Sequence, residues 1–253
     1  MKNKVTSIII LAGGKGTRMN SNIPKVLMKL NGKPMINYLL ESVRKSSNLK
    51  PIIVTSESNN DLIRKATLEF EPELVIQDKQ LGTGYAVKSV IDKINNLQKC
   101  VLVLYADHPL ISSETIKKMI DTHKSENYIF TMLVASVPYY KDNYNNFYND
   151  GRIIRNDKGE IVKIVEPNEA IDHEMEIKEI NPAIFCIDTE WLSSNIHKIK
   201  LNKEKNEYYL TKLVEIAQNQ SVTINSVNAN IEECWGANTP EQFENIKQIL
   251  TNK

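Results

Sequence analysis

Apolar residues gather in short unbroken runs through the first half of the chain, and mixed stretches separate the runs. Ser7–Leu11 (SIIIL), Pro51–Thr55 (PIIVT) and Cys100–Tyr105 (CVLVLY) are three such runs. A run of this length without polar alternation predicts a strand buried on both faces, as in a parallel sheet. Between the runs, Met35–Lys45, Asn60–Phe70 and Gly84–Asn95 carry helical patterning, with Asn60 or Asp61 available to cap the second helix. Strands that alternate with helices predict βαβ units. The expected fold is α/β: a Rossmann-like, mostly parallel twisted sheet with helices on both faces. Ligands of such sheets bind beyond the carboxyl ends of the strands. Leu11-Ala12-Gly13-Gly14 and Tyr105-Ala106-Asp107 both stand at such ends.

The second half is mixed. Phe130–Ser136 and Glu179–Ile187 read as strands, and Tyr208–Asn219 and Pro240–Thr251 as helices. Asp150–Glu166 (DGRIIRNDKGEIVKIVE) reads as a hairpin around an Asn-Asp-Lys-Gly turn. Residues 139–150 (YYKDNYNNFYND) are biased toward Tyr and Asn. They suit a surface loop between the two halves or a lid over a substrate.

Composition narrows the function classes. The 253 residues are 41% hydrophobic and 25% charged, with a net charge of +1. That charge leaves no basic face that would make nucleic acid the main partner. The apolar runs are too short to span a membrane, and the first residues lack a signal-peptide pattern. The three cysteines, Cys100, Cys186 and Cys234, are far apart. Without CxxC spacing they fit buried thiols in a reducing cytoplasm, not a disulfide framework or a zinc site. His108 reads as a neighbour of a site, and His123, His173 and His197 as surface or helix residues.

The strongest local signal follows the first run: LAGGKGTRMNSNIPKVL. Glycines allow close approach of a ligand to bare backbone, and successive N–H groups can then cradle phosphate oxygens. Arg18 and Lys25 supply charge that a phosphate can use. The spacing matches neither GxGxxG nor GxxxxGK[ST]. A tight turn with exposed basic residues is the plain alternative. The crowding of GG, KG, TR and PK into so few residues favours phosphate.

These residues resemble the signature of the sugar-1-phosphate nucleotidylyltransferases. Further motifs resemble the bacterial N-acetylglucosamine-1-phosphate uridyltransferases: QDKQLGTGYAV at Gln77–Val87, YADHPLI at Tyr105–Ile111, then GRIIRNDKGEIVKIVEPNEA, EINPAIFCID and NEYYLTKLVEIA, in the family's order. The match runs from about residue 7 to about residue 240, and several motifs in order are far more specific than one. The resemblance implies the nucleotide-diphospho-sugar transferase fold, with a nucleotide lobe over about 1–112 and a sugar lobe over about 113–253. It implies uridylyl transfer from UTP to a sugar 1-phosphate, with N-acetylglucosamine 1-phosphate first. Glucose 1-phosphate and N-acetylgalactosamine 1-phosphate are the alternative acceptors, and a non-catalytic regulatory protein is the alternative class.

The resemblance also assigns residues. Arg18 and Lys25 would stabilise charge on the pyrophosphate and α-phosphate. Leu11, Ala12, Gly13, Gly14, Gln77, Gly82 and Thr83 would bind the nucleotide, with Gln77 reading the uracil edge. Asp107 and Asn238 would hold Mg²⁺. Tyr105, Gly151, Glu166 and Asn181 would bind the sugar. The chain departs from the family at Ala106, where Gly is usual, and at Asn181-Pro182-Ala183, where Asn-Thr-Gly is usual. Both departures are expected to crowd the sugar pocket. No hexapeptide repeats follow, so acetyl transfer and the trimer that goes with it are not expected. A monomer or homodimer is.

Overall fold

Successive residues of a strand point to opposite faces, so a strand apolar at every position needs a packed layer on each side. The computed structural model describes residues 6–14, 16, 19, 23–47, 49–125 and 128–252. Its elements run β1 (Thr6–Leu11), a short ribbon of β2 (Lys29–Leu30) and β3 (Lys33–Pro34), α1 (Met35–Ser46), β4 (Ile52–Ser56), α2 (Asn60–Ala66) and β5 (Glu73–Gln77). Then come α3 (Thr83–Lys93), β6 (Cys100–Tyr105), α4 (Ser113–Ser125), β7 (Phe130–Ser136), β8 (Arg152–Arg155) and β9 (Ile161–Val165). The chain continues with α5 (Asp172–Met175), β10 (Glu179–Ile180), β11 (Phe185–Asp188), α6 (Thr189–Asn195), α7 (Lys212–Asn219), β12 (Ile224–Asn228) and α8 (Pro240–Thr251).

One ten-stranded sheet carries the molecule, in the order β5-β4-β1-β6-β11-β7-β10-β8-β9, with β12 also paired to β7. β5, β4, β1 and β6 are mutually parallel. β11 lies antiparallel between β6 and β7, and β12 joins β7 in parallel. The two faces sort as the alternation requires. Ile9, Val101 and Val103 pack with Val87 and Val90 of α3, Leu192 of α6 and Leu213 of α7. Ile8, Ile10, Leu102 and Leu104 pack with Leu39 and Leu40 of α1, Ile63 of α2 and Met119 of α4. Each such fully buried aliphatic side chain contributes roughly 1.5–3 kcal/mol.

Several sequence readings need amendment. Glu179–Ile187 is two strands, broken at Asn181–Ile184. Pro182 has no N–H to give a ladder, and Ala183 turns the chain with φ 62°. The helix expected from Tyr208 begins at Lys212. The backbone N–H of Tyr208 donates instead to Leu81 (2.7 Å), and that of Leu210 to the Thr83 hydroxyl (3.0 Å). The helix expected over Asn60–Phe70 stops at Ala66, and a single tighter turn covers Leu68–Phe70. β5 and β12 were not foreseen. β5 is an edge strand in which only Val75 and Gln77 are buried, and β12 is half polar. His123 lies on α4 but is fully buried, its Nδ1 3.0 Å from the Thr131 hydroxyl. The Asp150–Glu166 hairpin forms as β8 and β9, turning at Gly159 with φ 79°.

Residues 139–150 are not a free surface loop. Asp142–Asn149 coils into 3₁₀ turns. Phe147 buries itself edge-on against Trp235, with ring centroids 5.3 Å apart. A third cluster forms there from Phe147, Trp235, and Phe243 and Ile246 of α8.

Candidate active site

The register sets the rim of the site. Leu11 pairs with Tyr105 on one side and Val54 on the other, and Ser56 pairs with Gln77. β1 and β6 therefore end level, β4 and β5 end level with each other two residues further on, and each strand hands its next residues to the same edge. A cleft of about 670 Å³ opens there. Its wall includes Leu11, Ala12, Gly13, Gly14, Lys25, Gln77, Gly82, Thr83, Tyr105, Asp107, Asn181 and Asn238. Residues from both halves of the sequence thus meet in one cavity. Arg18 lies outside the described residues.

The start of the glycine loop, Ala12 and Gly13, is held by hydrogen bonds before any ligand arrives. Ala12 N–H donates to Val54 (2.9 Å), and Asn59 donates through Nδ2 to the Ala12 carbonyl (3.0 Å). Gln77 and Gln80 both donate to the Gly13 carbonyl, at 3.1 and 2.6 Å. Gly13 needs its missing side chain: a Cβ there would sit 2.2 Å from Gln77 Nε2. Gln77 Oε1 is buried without a hydrogen-bond partner among the described residues. It is an acceptor waiting for a donor.

Lys25 and Asp107 form the electrostatic centre. The Lys25 ammonium lies 2.6 Å from Asp107 Oδ2 and 2.9 Å from Asn238 Oδ1. His108 Nδ1 lies 3.1 Å from the other Asp107 oxygen. Burial alone would push the Asp107 carboxyl up. The Lys25 charge and the His108 and Lys25 hydrogen bonds outweigh it and hold the group well below the usual carboxylate range. Asp107 is therefore ionised at any physiological pH.

Asn238 faces this pair because the helix start does not need it. Thr239 caps α8: its hydroxyl accepts from the Gln242 N–H, and its own N–H donates to Gln242 Oε1. Asn238 could have been that cap; its amide oxygen is instead turned to the Lys25 ammonium. The Ala237 N–H donates to the Asp107 carbonyl (3.0 Å), which locks the 236–238 segment beside the strand end. Two oxygens, Asp107 Oδ2 and Asn238 Oδ1, therefore already converge on one cation, the Lys25 ammonium. Mg²⁺ takes one or two protein oxygens and fills its shell with phosphate oxygens and water. This donor set fits that habit. No cluster of three or more His, Cys, Asp or Glu exists among the described residues, so a cation held entirely by such side chains is not offered there.

The turn after β5 is stapled to the second half of the chain. Gly82 (φ 90°) opens α3, and a Cβ there would meet Glu207 Cβ and the Tyr208 carbonyl at 2.9 Å. Gly84 N–H donates to the Tyr208 carbonyl (2.7 Å). The LGTG and EYYLT motifs, distant in sequence, are one structural unit.

At the other end, Asn181 is buried, its N–H bonded to the Gly151 carbonyl (2.9 Å) and its Oδ1 to the Ala183 N–H (2.9 Å). Gly151 and Glu166 stand one layer behind the wall. A Cβ on Gly151 would meet Ile164 Cγ2 at 2.8 Å and Glu166 Oε2 at 3.6 Å. Glu166 accepts from the Thr211 hydroxyl (3.2 Å), and burial pushes its carboxyl up. Burial likewise raises the Tyr105 hydroxyl, with Asp107 and Glu166 adding to the shift and Thr83 opposing it. Pro182 and Ala183 line the cleft as expected. Ala106 does not: it is fully buried in the core with Ile8 and Ile10, so its methyl takes no space from a ligand.

Sequence reasoning passed over Gln80, Asp150 and the aromatic pair Phe147 and Trp235, all of which line the cleft. Gln80 lies within the Gln77–Val87 segment, and Asp150 immediately before Gly151. Neither carried a local pattern of its own.

Residues 8–184 match the MobA-like NTP transferase domain. Bifunctional protein GlmU of Clostridium kluyveri is 38% identical over 245 residues, 97% of this chain and 52% of that protein. GlmU of Clostridium novyi is 36% identical over 244 residues, 96% of this chain and 52% of that protein. The chain thus spans about half the length of these relatives. Among solved structures, a UDP-glucose pyrophosphorylase complexed with UDP-glucose superposes with a TM-score of 0.74 at 17% identity, covering 98% of this chain and 99% of that one. The inositol-1-phosphate CTP transferase of T. maritima gives 0.74 at 15% identity, covering 99% and 97%. Both carry this fold, and the family model covers the strand ends that build the cleft. The chain belongs to the family of MobA-like NTP transferase domains.

Proposed function

We propose that the chain transfers the uridylyl group of UTP to an N-acetylhexosamine 1-phosphate, N-acetylglucosamine 1-phosphate first, releasing pyrophosphate with Mg²⁺ as cofactor. The carrying observation is the Lys25 ammonium held between Asp107 and Asn238 beside a pre-bonded glycine loop. That arrangement suits a reaction whose barrier is charge. An oxygen of the sugar phosphate bonds to the α-phosphorus, and the bond from that phosphorus to the α,β-bridging oxygen breaks. Both nucleophile and leaving group are phosphate anions, so no proton need move. The work is to bring anions together and hold them in line.

The residues fit that work. Asp107 and Asn238 would hold Mg²⁺, which when bound neutralises triphosphate charge. Lys25, released from those two oxygens, would turn its ammonium to the α-phosphate, and Arg18 would serve the pyrophosphate side. The Gly13–Gly14 backbone would approach the phosphates. Gln77, with its unpartnered Oε1, suits the N–H of a uracil edge, and Gly82 and Thr83 frame the base. Tyr105, Gly151, Glu166 and Asn181 would serve the sugar, with lobes over about 1–112 and 113–253 facing across the cleft. We further propose a cytoplasmic monomer or homodimer; no helix among the described residues is long and apolar enough to cross a membrane.

A second reading has an observation behind it. Pro182 and Ala183 stand in the cleft wall, and both bear on the acceptor sugar and not on the chemistry. Glucose 1-phosphate or N-acetylgalactosamine 1-phosphate is then the acceptor. Pyrophosphate release over a grid of five nucleoside triphosphates against the three 1-phosphates decides. Turnover confined to UTP with N-acetylglucosamine 1-phosphate is expected. Turnover with UTP and another sugar selects the second reading. Silence across the grid while a UDP-sugar still binds would sink catalysis and leave a regulatory binding protein.

A further inference from the structure

The acidic groups around the cleft differ in how they are matched. Asp107 is held by Lys25 and His108. Glu166 accepts from Thr211. Asp150 lines the same cleft, yet among the described residues its carboxylate has neither a hydrogen bond nor an ion pair.

The obvious cation nearby is spent elsewhere. Arg152 is fully buried. Its Nη1 donates to the Asp150 carbonyl, its Nη2 to the Tyr148 carbonyl (2.9 Å), and its Nε to the Met175 carbonyl (3.4 Å). The guanidinium also stacks 4.4 Å from the centre of the Tyr140 ring. It anchors the backbone on which Asp150 sits and leaves the carboxylate to the cavity. Burial pushes this carboxyl up to about 7; His108 and Arg152 oppose the shift, and Glu166 and Asp107 add to it. Asp150 is half-buried in the cleft wall; a carboxylate so placed without a partner is costly, and such groups concentrate where a ligand completes them.

Chemistry restricts what can complete it. Above about pH 7 the Asp150 carboxyl is ionised and only accepts. Phosphate oxygens are excluded by charge, and the cations that suit them lie at Lys25. The base has Gln77 at the far rim. Asp150 instead adjoins Gly151, whose carbonyl receives the Asn181 N–H, so it stands at the sugar end. We propose that Asp150 is a specificity residue for the acceptor: its carboxylate accepts a hydrogen bond from a ring hydroxyl of the sugar 1-phosphate. This inference rests on the function proposed above.

The test uses the full chain with UTP and Mg²⁺. Wild type, Asp150→Asn and Asp150→Ala are assayed with the cognate sugar 1-phosphate and with analogues that each lack one ring hydroxyl. Asp150→Ala is expected to raise KM for the cognate sugar phosphate on the order of 10- to 100-fold, with KM for UTP unchanged. Asp150→Asn, which keeps one acceptor oxygen, falls between. For one deoxy analogue, wild type and Asp150→Ala become equal, and that analogue names the hydroxyl. An unchanged sugar KM in both variants overturns the inference while leaving the proposed function standing. So does an equal loss across every analogue, or a melting temperature that collapses in both variants together with UTP binding, since either makes Asp150 structural. A silent wild type overturns the function itself, and this inference with it.

Discussion

The two ends of the cleft are built on different principles. At the end proposed for the nucleotide, parallel strands hand their next residues to one edge, and the polar groups there are matched before a ligand arrives, Gln77 Oε1 excepted. Gly13 accepts from Gln77 and Gln80, Asn59 holds Ala12, and Asp107 holds Lys25. At the end proposed for the sugar, the wall comes from breaks between antiparallel strands and from the aromatic 3₁₀ segment. Asp150 is unmatched there, and Ala183 has a left-handed backbone. The first end is preorganised for charge, which is the same in every nucleoside triphosphate. The second leaves Asp150 open in a wall built from loop segments, where the proposed choice among sugars would be made. The chemistry and the selectivity are therefore expected to respond to different substitutions.

The largest effect should come from Lys25→Met. It removes the ammonium proposed to serve the α-phosphate while keeping the apolar stem. Turnover is expected to fall by roughly 10²–10³-fold, the scale of losing one preorganised donor to a developing charge. KM for the sugar phosphate should change far less than kcat. The same substitution frees Asp107 Oδ2 and Asn238 Oδ1, so Mn²⁺ should bind more tightly than to wild type when nucleotide is absent, read by the loss of its free-ion paramagnetic signal. Near-normal turnover, or weaker Mn²⁺ binding, would break the assignment of this end to metal and phosphate.

How much of this contrast the sequence discloses follows from the same physics. The nucleotide end is legible because its elements are local: an unbroken apolar run predicts a strand, and the glycines that must follow it are adjacent in sequence. The sugar end depends on contacts between distant segments. Nothing local says that Leu210 N–H will bond the Thr83 hydroxyl and so delay α7, or that Pro182 and Ala183 will split one apparent strand into two. His123 illustrates the limit. A histidine near the end of an amphipathic helix reads as exposed, and only the packing of α4 on β7 buries it. Ala106 errs in the other direction. Its place after a strand suggests a role in the cleft, but alternation along β6 turns its methyl into the core.

A smaller effect, confined to nucleotide binding, is expected of Gly13→Ala. The added Cβ would lie 2.2 Å from Gln77 Nε2, so Gln77 must move and the Gly13 carbonyl loses a donor. A hydrogen bond of this kind is worth about 0.5–1.5 kcal/mol, and KM for UTP should rise several-fold to about tenfold. KM for the sugar phosphate should hold. A loss shared equally between the two substrates would show that the ends are mechanically coupled and blunt the contrast drawn here.

The smallest effect should come from Ala183→Gly, and its sign is the informative part. Ala183 holds φ at 62°, where a Cβ crowds the backbone at a penalty of roughly 1–2 kcal/mol. Glycine relieves that strain but adds freedom to the unfolded chain, an offset of about 0.4–1 kcal/mol. The net is a gain between zero and about 1.6 kcal/mol, at most about 3–6 °C in melting temperature for a chain of this size. Few glycine substitutions within a core-facing turn stabilise a protein, so a rise is diagnostic of the strained backbone. Removing the methyl also widens the wall beside Asn181, so KM for the sugar phosphate should shift a few-fold while KM for UTP does not. A lower melting temperature would mean that the methyl packs usefully in the wall. The left-handed turn at 183 would then be held by contacts stronger than its strain, and the sugar end would be as firmly built as the nucleotide end.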